Sequence, residues 1–131
     1  MLPDRLLISI IDDYQPCRDS MRRLIRSLGY AADVFSSAAD FLASRRLSET
    51  ACLIADIHMP AMTGLELYRH LIAAGHRIPT ILVTADPNDA DRARALKDGV
   101  LCYLGKPVDE QLLSQCLRAA LTSIGVPTND S

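Results

Sequence analysis

The sequence predicts an α/β fold in which a doubly wound parallel sheet is covered by helices on both faces. Short β-rich runs alternate five times with helical patterns of about ten to fifteen residues, without internal repeats or low-complexity segments. Three of these runs are almost continuously apolar, which is typical of strands buried on both faces. The alternation and the apolar runs together favour a parallel sheet over separate α and β regions.

The apolar runs predict the positions of the strands, and the helical patterns between them predict the first three helices. The first helix is predicted at about residues 15–28, with Pro16 in its first turn and Gly29 after its end. Capping boxes at residues 37–40 and 63–66 should begin the second and third helices, because their side chains satisfy free amides at a helix start. The predicted strands are 6–11, 31–35, 52–56, 80–84 and 101–104.

The fourth and fifth helices differ in their apolar faces. Asp86, followed by Pro87, is predicted to cap the fourth helix, whose inward stripe is thin and consists of Ala90, Ala93 and Leu96. The fifth helix has a much larger stripe and should end at Gly125 and Pro127. At about 25 cal/mol per Å² of buried apolar surface, the fourth helix should therefore be the least firmly docked. The stripe of the fifth helix is Leu112, Leu113, Cys116, Leu117, Ala120, Leu121 and Ile124.

The length, composition and net charge are those of an ordinary globular domain. The 131 residues provide one domain, predicted at 1–124, followed by a polar tail or the start of a linker at 125–131. With a net charge of −2, nothing indicates direct contact with nucleic acid or an anionic membrane. The apolar runs are shorter than the roughly 18 residues needed to span a bilayer, and the N-terminus lacks a signal-peptide pattern. We therefore expect a cytoplasmic location.

The cysteines are predicted to be reduced thiols packed among apolar neighbours. They show neither CxxC pairs nor the spacing of a metal site, so a redox or metal role is the less favoured alternative. The four positions are Cys17, Cys52, Cys102 and Cys116.

Polar residues follow or end four of the predicted strands. Asp12 and Asp13 follow the first, Asp56 ends the third, Thr84 ends the fourth and Lys106 follows the fifth. In a doubly wound sheet these carboxyl ends form the binding site, so the five side chains should converge. Clustered carboxylates repel one another, and their hard oxygen atoms suit Mg²⁺. A carboxylate beside such an ion can attack phosphorus to give an acyl phosphate, assisted by an ammonium and a hydroxyl group.

Four segments carry a family resemblance. The pair Asp12-Asp13 and the segments 56–67 (DIHMPAMTGLEL), 81–85 (ILVTA) and 99–107 (GVLCYLGKP) together resemble a response-regulator receiver domain of two-component signalling, with wording closest to the FixJ-like group. The resemblance covers about residues 6–124. It implies a CheY-like, flavodoxin-like fold with five strands in order 2-1-3-4-5 and five flanking helices.

The resemblance also implies a phosphorylation site. Asp56 would accept a phosphoryl group from the phosphohistidine of a sensor histidine kinase. Asp13 and Asp56 would bind Mg²⁺ together with the backbone carbonyl of His58, while Asp12 would act mainly through ordered water.

A second set of implied roles concerns the response to phosphorylation. Thr84 and Tyr103 would be the switch pair, and Lys106 would bridge to the phosphoryl group, with the Lys106–Pro107 peptide bond usually cis in this family. The surface of the fourth helix, fifth strand and fifth helix would then change, and in FixJ-like proteins this surface commonly pairs two receivers. A phosphorylation-dependent homodimer and self-catalysed dephosphorylation at Asp56 are therefore expected.

Two alternative functions and several side-chain roles stay open at this point. A phosphohydrolase with an aspartyl-phosphate intermediate needs a second aspartate two residues after the nucleophile, where this chain has His58. A receiver that serves only as an interaction module usually lacks the acidic pair, the acceptor or the lysine. His58 and Asp86 occupy variable positions that influence phosphoryl lifetime, and Tyr103 could simply be packed core.

Overall fold

The computed structural model describes residues 5–123. Within this range five strands alternate with five α-helices, and a short 3₁₀ helix at Leu47–Glu49 precedes the third strand. The strands are β1 (Leu7–Ile11), β2 (Ala31–Phe35), β3 (Thr50–Asp56), β4 (Thr80–Thr84) and β5 (Cys102–Gly105). The helices are α1 (Gln15–Ser27), α2 (Ala38–Leu42), α3 (Gly64–Ala73), α4 (Asp89–Asp98) and α5 (Glu110–Ser123).

All neighbouring strands pair in parallel, in the order β2-β1-β3-β4-β5. This confirms the predicted order, and each predicted strand is present with ends shifted by two residues or fewer. The central strands β1, β3 and β4 are buried almost throughout, whereas the edge strand β2 is half-buried along its whole length. The order places the carboxyl ends of β1, β3 and β4 side by side.

Two apolar clusters pack against opposite faces of the sheet. One contains Ile25 of α1 and Leu113 and Leu117 of α5. The other contains Phe41 of α2 together with residues of α3 and α4. Helices therefore cover both faces, which is why the central strands are continuously apolar. Within residues 5–123, no helix is both long enough and apolar enough to cross a membrane.

The start of α4 differs from the prediction. The N-cap is Asn88, whose side chain accepts a hydrogen bond from the Asp91 amide at 2.8 Å, and not Asp86. Asp86 is exposed, and its amide donates to the hydroxyl of Thr84 at 3.0 Å. Because that bond keeps Asp86 in the turn after β4, the helix starts at Asp89.

The predicted inward stripe of α4 is also wrong. Ala90, Ala93 and Leu96 are exposed, and Ala95 is the buried residue of this helix. One buried methyl group contributes little apolar area, so the weak docking predicted for α4 agrees with its packing.

The predicted face of α5 holds except at one position. Leu112 is 44% exposed, whereas the neighbouring Leu113 is fully buried, so the buried face of α5 begins at Leu113 and not at Leu112. The predicted contribution of Ile124, the end signals Gly125 and Pro127 and the tail at 125–131 lie outside the described residues.

The four cysteines are all free thiols. Cys52 and Cys116 are buried as predicted, but Cys17 and Cys102 are only half-buried. Burial raises the pKa of the Cys52 thiol well above its usual range. Burial and the adjacent Cys116 raise the pKa of Cys102 to about 12.

Candidate functional site

The strand-end residues predicted from the sequence meet at one edge of the sheet. The ammonium Nζ of Lys106 lies 2.8 Å from Oδ2 of Asp12 and 3.1 Å from Oδ2 of Asp56. Carboxylate oxygens of Asp12, Asp13 and Asp56 lie within 4.8 Å of one another. One cation and three carboxylates from segments far apart in the chain therefore share a small volume.

Asp56 is held on several sides at the end of β3. Its side chain accepts a hydrogen bond from the His58 amide at 3.1 Å, in addition to the one from Lys106. Its backbone is packed against the start of α3, where a Cβ added to Gly64 would lie 2.6 Å from the Asp56 carbonyl oxygen. The Gly64 amide donates to the Ile57 carbonyl at 3.1 Å, which closes the turn between β3 and α3. Asp56 is thus a buried carboxylate, 7% exposed, with a fixed orientation.

Asp12 is equally constrained, whereas its neighbour Asp13 is not. The Asp12 amide donates to the Phe35 carbonyl at the end of β2, and its carboxylate accepts from the Tyr14 amide at 2.9 Å. The Asp12 carbonyl accepts a 2.7 Å hydrogen bond from the guanidinium of Arg18. Asp13 is exposed, and its carboxylate has no hydrogen bond or ion pair with any residue of 5–123.

Lys106 is positioned by the backbone at the end of β5. Its amide donates to the Thr84 carbonyl at 2.8 Å, and the Lys106–Pro107 peptide bond is cis, as the family resemblance implies. Burial lowers the pKa of the ammonium, but its hydrogen bonds with Asp12 and Asp56 outweigh that effect, so the pKa of Lys106 is raised. The side chain is therefore a permanent cation at neutral pH.

Thr84 and Tyr103 lie on adjacent strands and both point into the molecule. Thr84 is fully buried at the end of β4, and its hydroxyl accepts from the Asp86 amide. The Tyr103 ring is 4% exposed, and its hydroxyl accepts from the Asn88 amide at 3.0 Å. The guanidinium carbon of Arg92 lies 5.9 Å from the ring centroid. Tyr103 is therefore packed core whose hydroxyl also contacts the start of α4.

His58 and Asp86 lie outside this cluster. The side chains of both are exposed, and the cluster of metal-ligating groups contains neither of them. The phosphohydrolase alternative needs an aspartate at this position, and the side chain there is an exposed imidazole.

An apolar cleft of about 350 Å³ opens beside Asp12 and Lys106. It runs between α1 and the segment that follows β5 and is lined mainly by Pro16, Cys17, Met21, Leu24, Pro107 and Val108. The charged cluster therefore borders an apolar surface large enough to receive a side chain of another molecule.

Residues 8–118 match the family described as response regulator receiver domain. The chain belongs to this receiver family. The prediction from the sequence is confirmed, and the fold is the CheY-like fold of this family.

Relatives and solved structures agree with this assignment. The receiver is 36% identical over 115 residues to the response regulator protein TodT of Pseudomonas putida, covering 88% of the receiver and 51% of TodT. It is 32% identical to the transcriptional regulatory protein FixJ of Azorhizobium caulinodans, covering 92% of the receiver and 57% of FixJ. The chain thus spans about half the length of the curated relatives it matches.

Two solved structures have the same fold. The response regulator StyR has 34% sequence identity and a TM-score of 0.82, covering 91% of the receiver and 60% of that chain. The crystal structure of FixJ-N has 27% identity and a TM-score of 0.80, covering 93% of the receiver and 96% of that chain. Similarity to FixJ in sequence and in structure places the receiver in the FixJ-like group.

The donor set of the receiver fits a hard divalent cation. Three carboxylates supply oxygen ligands within 4.8 Å of one another, and the unpartnered carboxylate of Asp13 is available to an ion. Lys106 offsets part of the negative charge but binds only one oxygen of Asp12 and one of Asp56. The other oxygens of Asp12 and Asp56 accept hydrogen bonds from the Tyr14 and His58 amides, so within residues 5–123 the cluster's carboxylate oxygens without a hydrogen bond are those of Asp13.

Three contributors to the site were not identified from the sequence. Gly64 was predicted only as part of a capping box, although its missing side chain lets α3 approach Asp56. An N-cap at Asp86 would place Asn88 inside the first turn of the helix, and Arg18 belongs to no recognised sequence motif. Arg18 acts on a backbone carbonyl, for which no sequence motif exists.

Proposed function

We propose that this receiver is the phosphoacceptor domain of a two-component response regulator and that Asp56 is its phosphorylation site. The observation that carries the proposal is the buried Asp56 carboxylate, held 3.1 Å from Lys106 within a cluster of three carboxylates. An Asp56 oxygen attacks the phosphorus of a kinase phosphohistidine. The P–N bond breaks, the imidazole nitrogen keeps the electron pair, and an acyl phosphate forms on Asp56.

The chain's own residues stabilise the transferring group. Lys106 places a cation where the negative charge of the phosphoryl oxygens develops, and Thr84 provides a hydroxyl donor from the adjacent strand. Asp13, Asp56 and the His58 carbonyl would hold Mg²⁺, with Asp12 contributing through water. When bound, Mg²⁺ neutralises charge on the carboxylates and phosphoryl oxygens. Later hydrolysis of the acyl phosphate by water returns Asp56 to its carboxylate form.

The proposed output is a change in the surface made by α4, β5 and α5. When the Thr84 hydroxyl turns to the phosphoryl group, it loses the hydrogen bond that it accepts from the Asp86 amide. The loss of this bond loosens the turn before α4. Tyr103 contacts the same segment through Asn88, so both switch residues act on the start of a weakly docked helix. We propose that the altered surface promotes a homodimer and controls an output domain.

The partner proposed for the receiver is a sensor histidine kinase. The apolar cleft beside Asp12 and Lys106 gives such a partner a surface to bind next to the acceptor. The proposed role involves no direct contact of the receiver with nucleic acid or membrane.

The decisive experiment is intact-mass measurement after incubation with acetyl phosphate and Mg²⁺. The wild type should gain one phosphoryl group and Asp56→Asn should gain none. Asp40→Asn, which changes an exposed aspartate in α2, is the matched control and should label like the wild type. Equal labelling of Asp56→Asn would show that the acceptor assignment is wrong.

Dimerisation is tested separately by gel filtration of the labelled and unlabelled forms. The labelled receiver should elute at a larger apparent size. Identical elution would contradict the proposed dimer and leave the acceptor assignment intact.

A further inference from the structure

Arg18 is the one cationic side chain of α1 that contacts the loop carrying the acidic pair, within the part of the chain that the structure describes. Its Nη1 atom donates to the Asp12 carbonyl at 2.7 Å, the short distance of a charge-assisted hydrogen bond. Arg18 forms no ion pair with a carboxylate in residues 5–123. It therefore binds the acidic loop without occupying any of the carboxylate oxygens that a metal ion needs.

The contact fixes a particular peptide group. The Asp12 carbonyl and the Asp13 amide belong to the same planar peptide, so holding the carbonyl also sets the direction in which Asp13 leaves the strand. The Asp12 side chain is already fixed by Tyr14 and Lys106. Asp13 has no such contact, so the orientation of its carboxylate depends on the backbone.

Apart from the hydrogen bond between the Tyr14 amide and the Asp12 carboxylate, the start of α1 offers little other restraint on this loop. Its N-cap residue Tyr14 makes no side-chain capping hydrogen bond, and the first turn has no acidic residue. Arg18 reaches back from the helix to the end of β1 and connects the two elements across the loop.

We propose that Arg18 is a positioning residue for the metal site, because it orients the Asp12–Asp13 peptide and thereby the Asp13 carboxylate. The inference rests on the proposed function, in which Asp13 binds Mg²⁺. In this role Arg18 would act through the peptide group and would touch neither the ion nor the phosphoryl group.

The direction in which loss of Arg18 changes Mg²⁺ affinity distinguishes the positioning role from a simple charge effect. A guanidinium near the site repels Mg²⁺, so removing it on charge grounds alone should tighten Mg²⁺ binding. Loss of positioning should weaken binding, by about 10-fold for a partner of a metal ligand. Arg22 lies one helical turn away, is exposed and has no side-chain partner in residues 5–123, which makes it a matched control.

The test compares the Mg²⁺ dissociation constants of the wild type, Arg18→Met, Arg18→Lys and Arg22→Met by isothermal titration calorimetry. Arg18→Met should raise the dissociation constant about 10-fold. Arg18→Lys keeps the charge and one donor and should fall between Arg18→Met and the wild type. Arg22→Met should bind as the wild type or slightly tighter. The Asp13 amide resonance in ¹H–¹⁵N spectra should move in the Arg18 variants without Mg²⁺ and stay in place in Arg22→Met.

Each outcome has a distinct meaning. If the wild type binds Mg²⁺ and Arg18→Met binds equally or more tightly, the positioning role is wrong and the proposed function stands. If the wild type itself does not bind Mg²⁺, the metal part of the proposed function fails, and the role of Arg18 fails with it. Should Arg18→Met not fold, the Arg18→Lys comparison and its Asp13 resonance give the same decision.

Discussion

The Tyr103 hydroxyl accepts a hydrogen bond from the Asn88 amide at 3.0 Å, which links β5 to the residue that caps α4. Arg92, in the first turns of α4, lies over the same ring. At its other end, α4 is tied to α3 by the ion pair between Arg69 and Asp98. Because Ala95 is the buried residue of α4, these end contacts account for much of its attachment.

Replacing Tyr103 with Phe should loosen the start of α4. The hydroxyl is lost while the ring stays, and the Asn88 amide can turn to water because Asn88 is exposed. The cost should therefore be small, about 0.5–1 kcal/mol in urea unfolding. Hydrogen exchange at the Asn88 amide should accelerate. Tyr14→Phe, at a residue that is 61% exposed, is the control. An Asn88 amide that exchanges at the wild-type rate would contradict the proposed link.

Replacing Arg69 with Gln should release the other end of α4. Its side chain is 52% exposed, so the loss in stability should be only about 0.2–1 kcal/mol. Local hydrogen exchange is the more sensitive measurement, and it should increase in the last turn of α4. Arg94→Gln removes an arginine that pairs with Asp91 inside the same helix and should leave that turn unchanged. Equal exchange in the two variants would show that the α3 contact does not anchor the helix.

Replacing Lys106 with Met should destabilise the receiver by about 3 kcal/mol, because two buried carboxylates lose their cation. The Asp12 and Asp56 side chains are only 6% and 10% exposed, so water cannot replace the ammonium fully. Added Mg²⁺ should recover more stability in this variant than in the wild type, as measured by urea unfolding with and without the ion. Lys97→Met, at the exposed lysine of α4, is the control. A Lys106→Met protein as stable as Lys97→Met would contradict the assigned ion pairs.

The same lysine predicts a pH dependence at alkaline pH. Burial lowers the pKa of Lys106, but its hydrogen bonds with Asp12 and Asp56 raise the pKa by a larger amount. The pKa is therefore shifted upward from the usual value of 10.5. A raised pKa means that the stabilisation is fully present below the ordinary lysine value and is lost as pH rises through the folded-state value. The difference in unfolding free energy between wild type and Lys106→Met should therefore be constant from about pH 8 to about pH 10 and shrink only above about pH 10.5. A difference that already shrinks near neutral pH would contradict the upward shift.

The sequence was sufficient for the sheet and for the residues at its carboxyl edge. Continuous apolar runs identify buried strands, and a side chain that directly ends such a run must appear at that edge. Asp56 and Thr84 are of this kind, and Asp12 and Lys106 follow one residue after their strands. Their meeting follows from the strand order, which came from the family resemblance and not from the apolar pattern itself.

The α4 region was not predictable in the same way. Asp86 and Asn88 are both good capping residues. The choice between them depends on two hydrogen bonds, from the Asp86 amide to the Thr84 hydroxyl and from the Asn88 amide to the Tyr103 hydroxyl, and neither bond can be read from the sequence pattern. An alanine-rich helix also has several almost equally apolar faces, so the pattern did not identify Ala95 as the buried one.

Gly64 provides a final test of how Asp56, the proposed acceptor, is held. A methyl group at this position would lie 2.6 Å from the Asp56 carbonyl oxygen and 3.0 Å from a methyl carbon of Leu82. Alanine gains up to about 1 kcal/mol in helix propensity, but overpacking against backbone costs about 1–3 kcal/mol, so the clash should prevail. Gly64→Ala should therefore unfold at a lower urea concentration and label more slowly with acetyl phosphate, because α3 displaces Asp56.

Gly105→Ala is the matched comparison for this variant. Its added methyl group would lie 3.1 Å from the outer edge of the Pro87 ring, which can move more easily than the backbone of a buried strand. The loss of stability and of labelling rate should both be smaller than in Gly64→Ala. If Gly64→Ala labelled at the wild-type rate, α3 could withdraw from the end of β3 without moving the carboxylate. The fixed orientation of Asp56 would then depend on His58 and Lys106 alone.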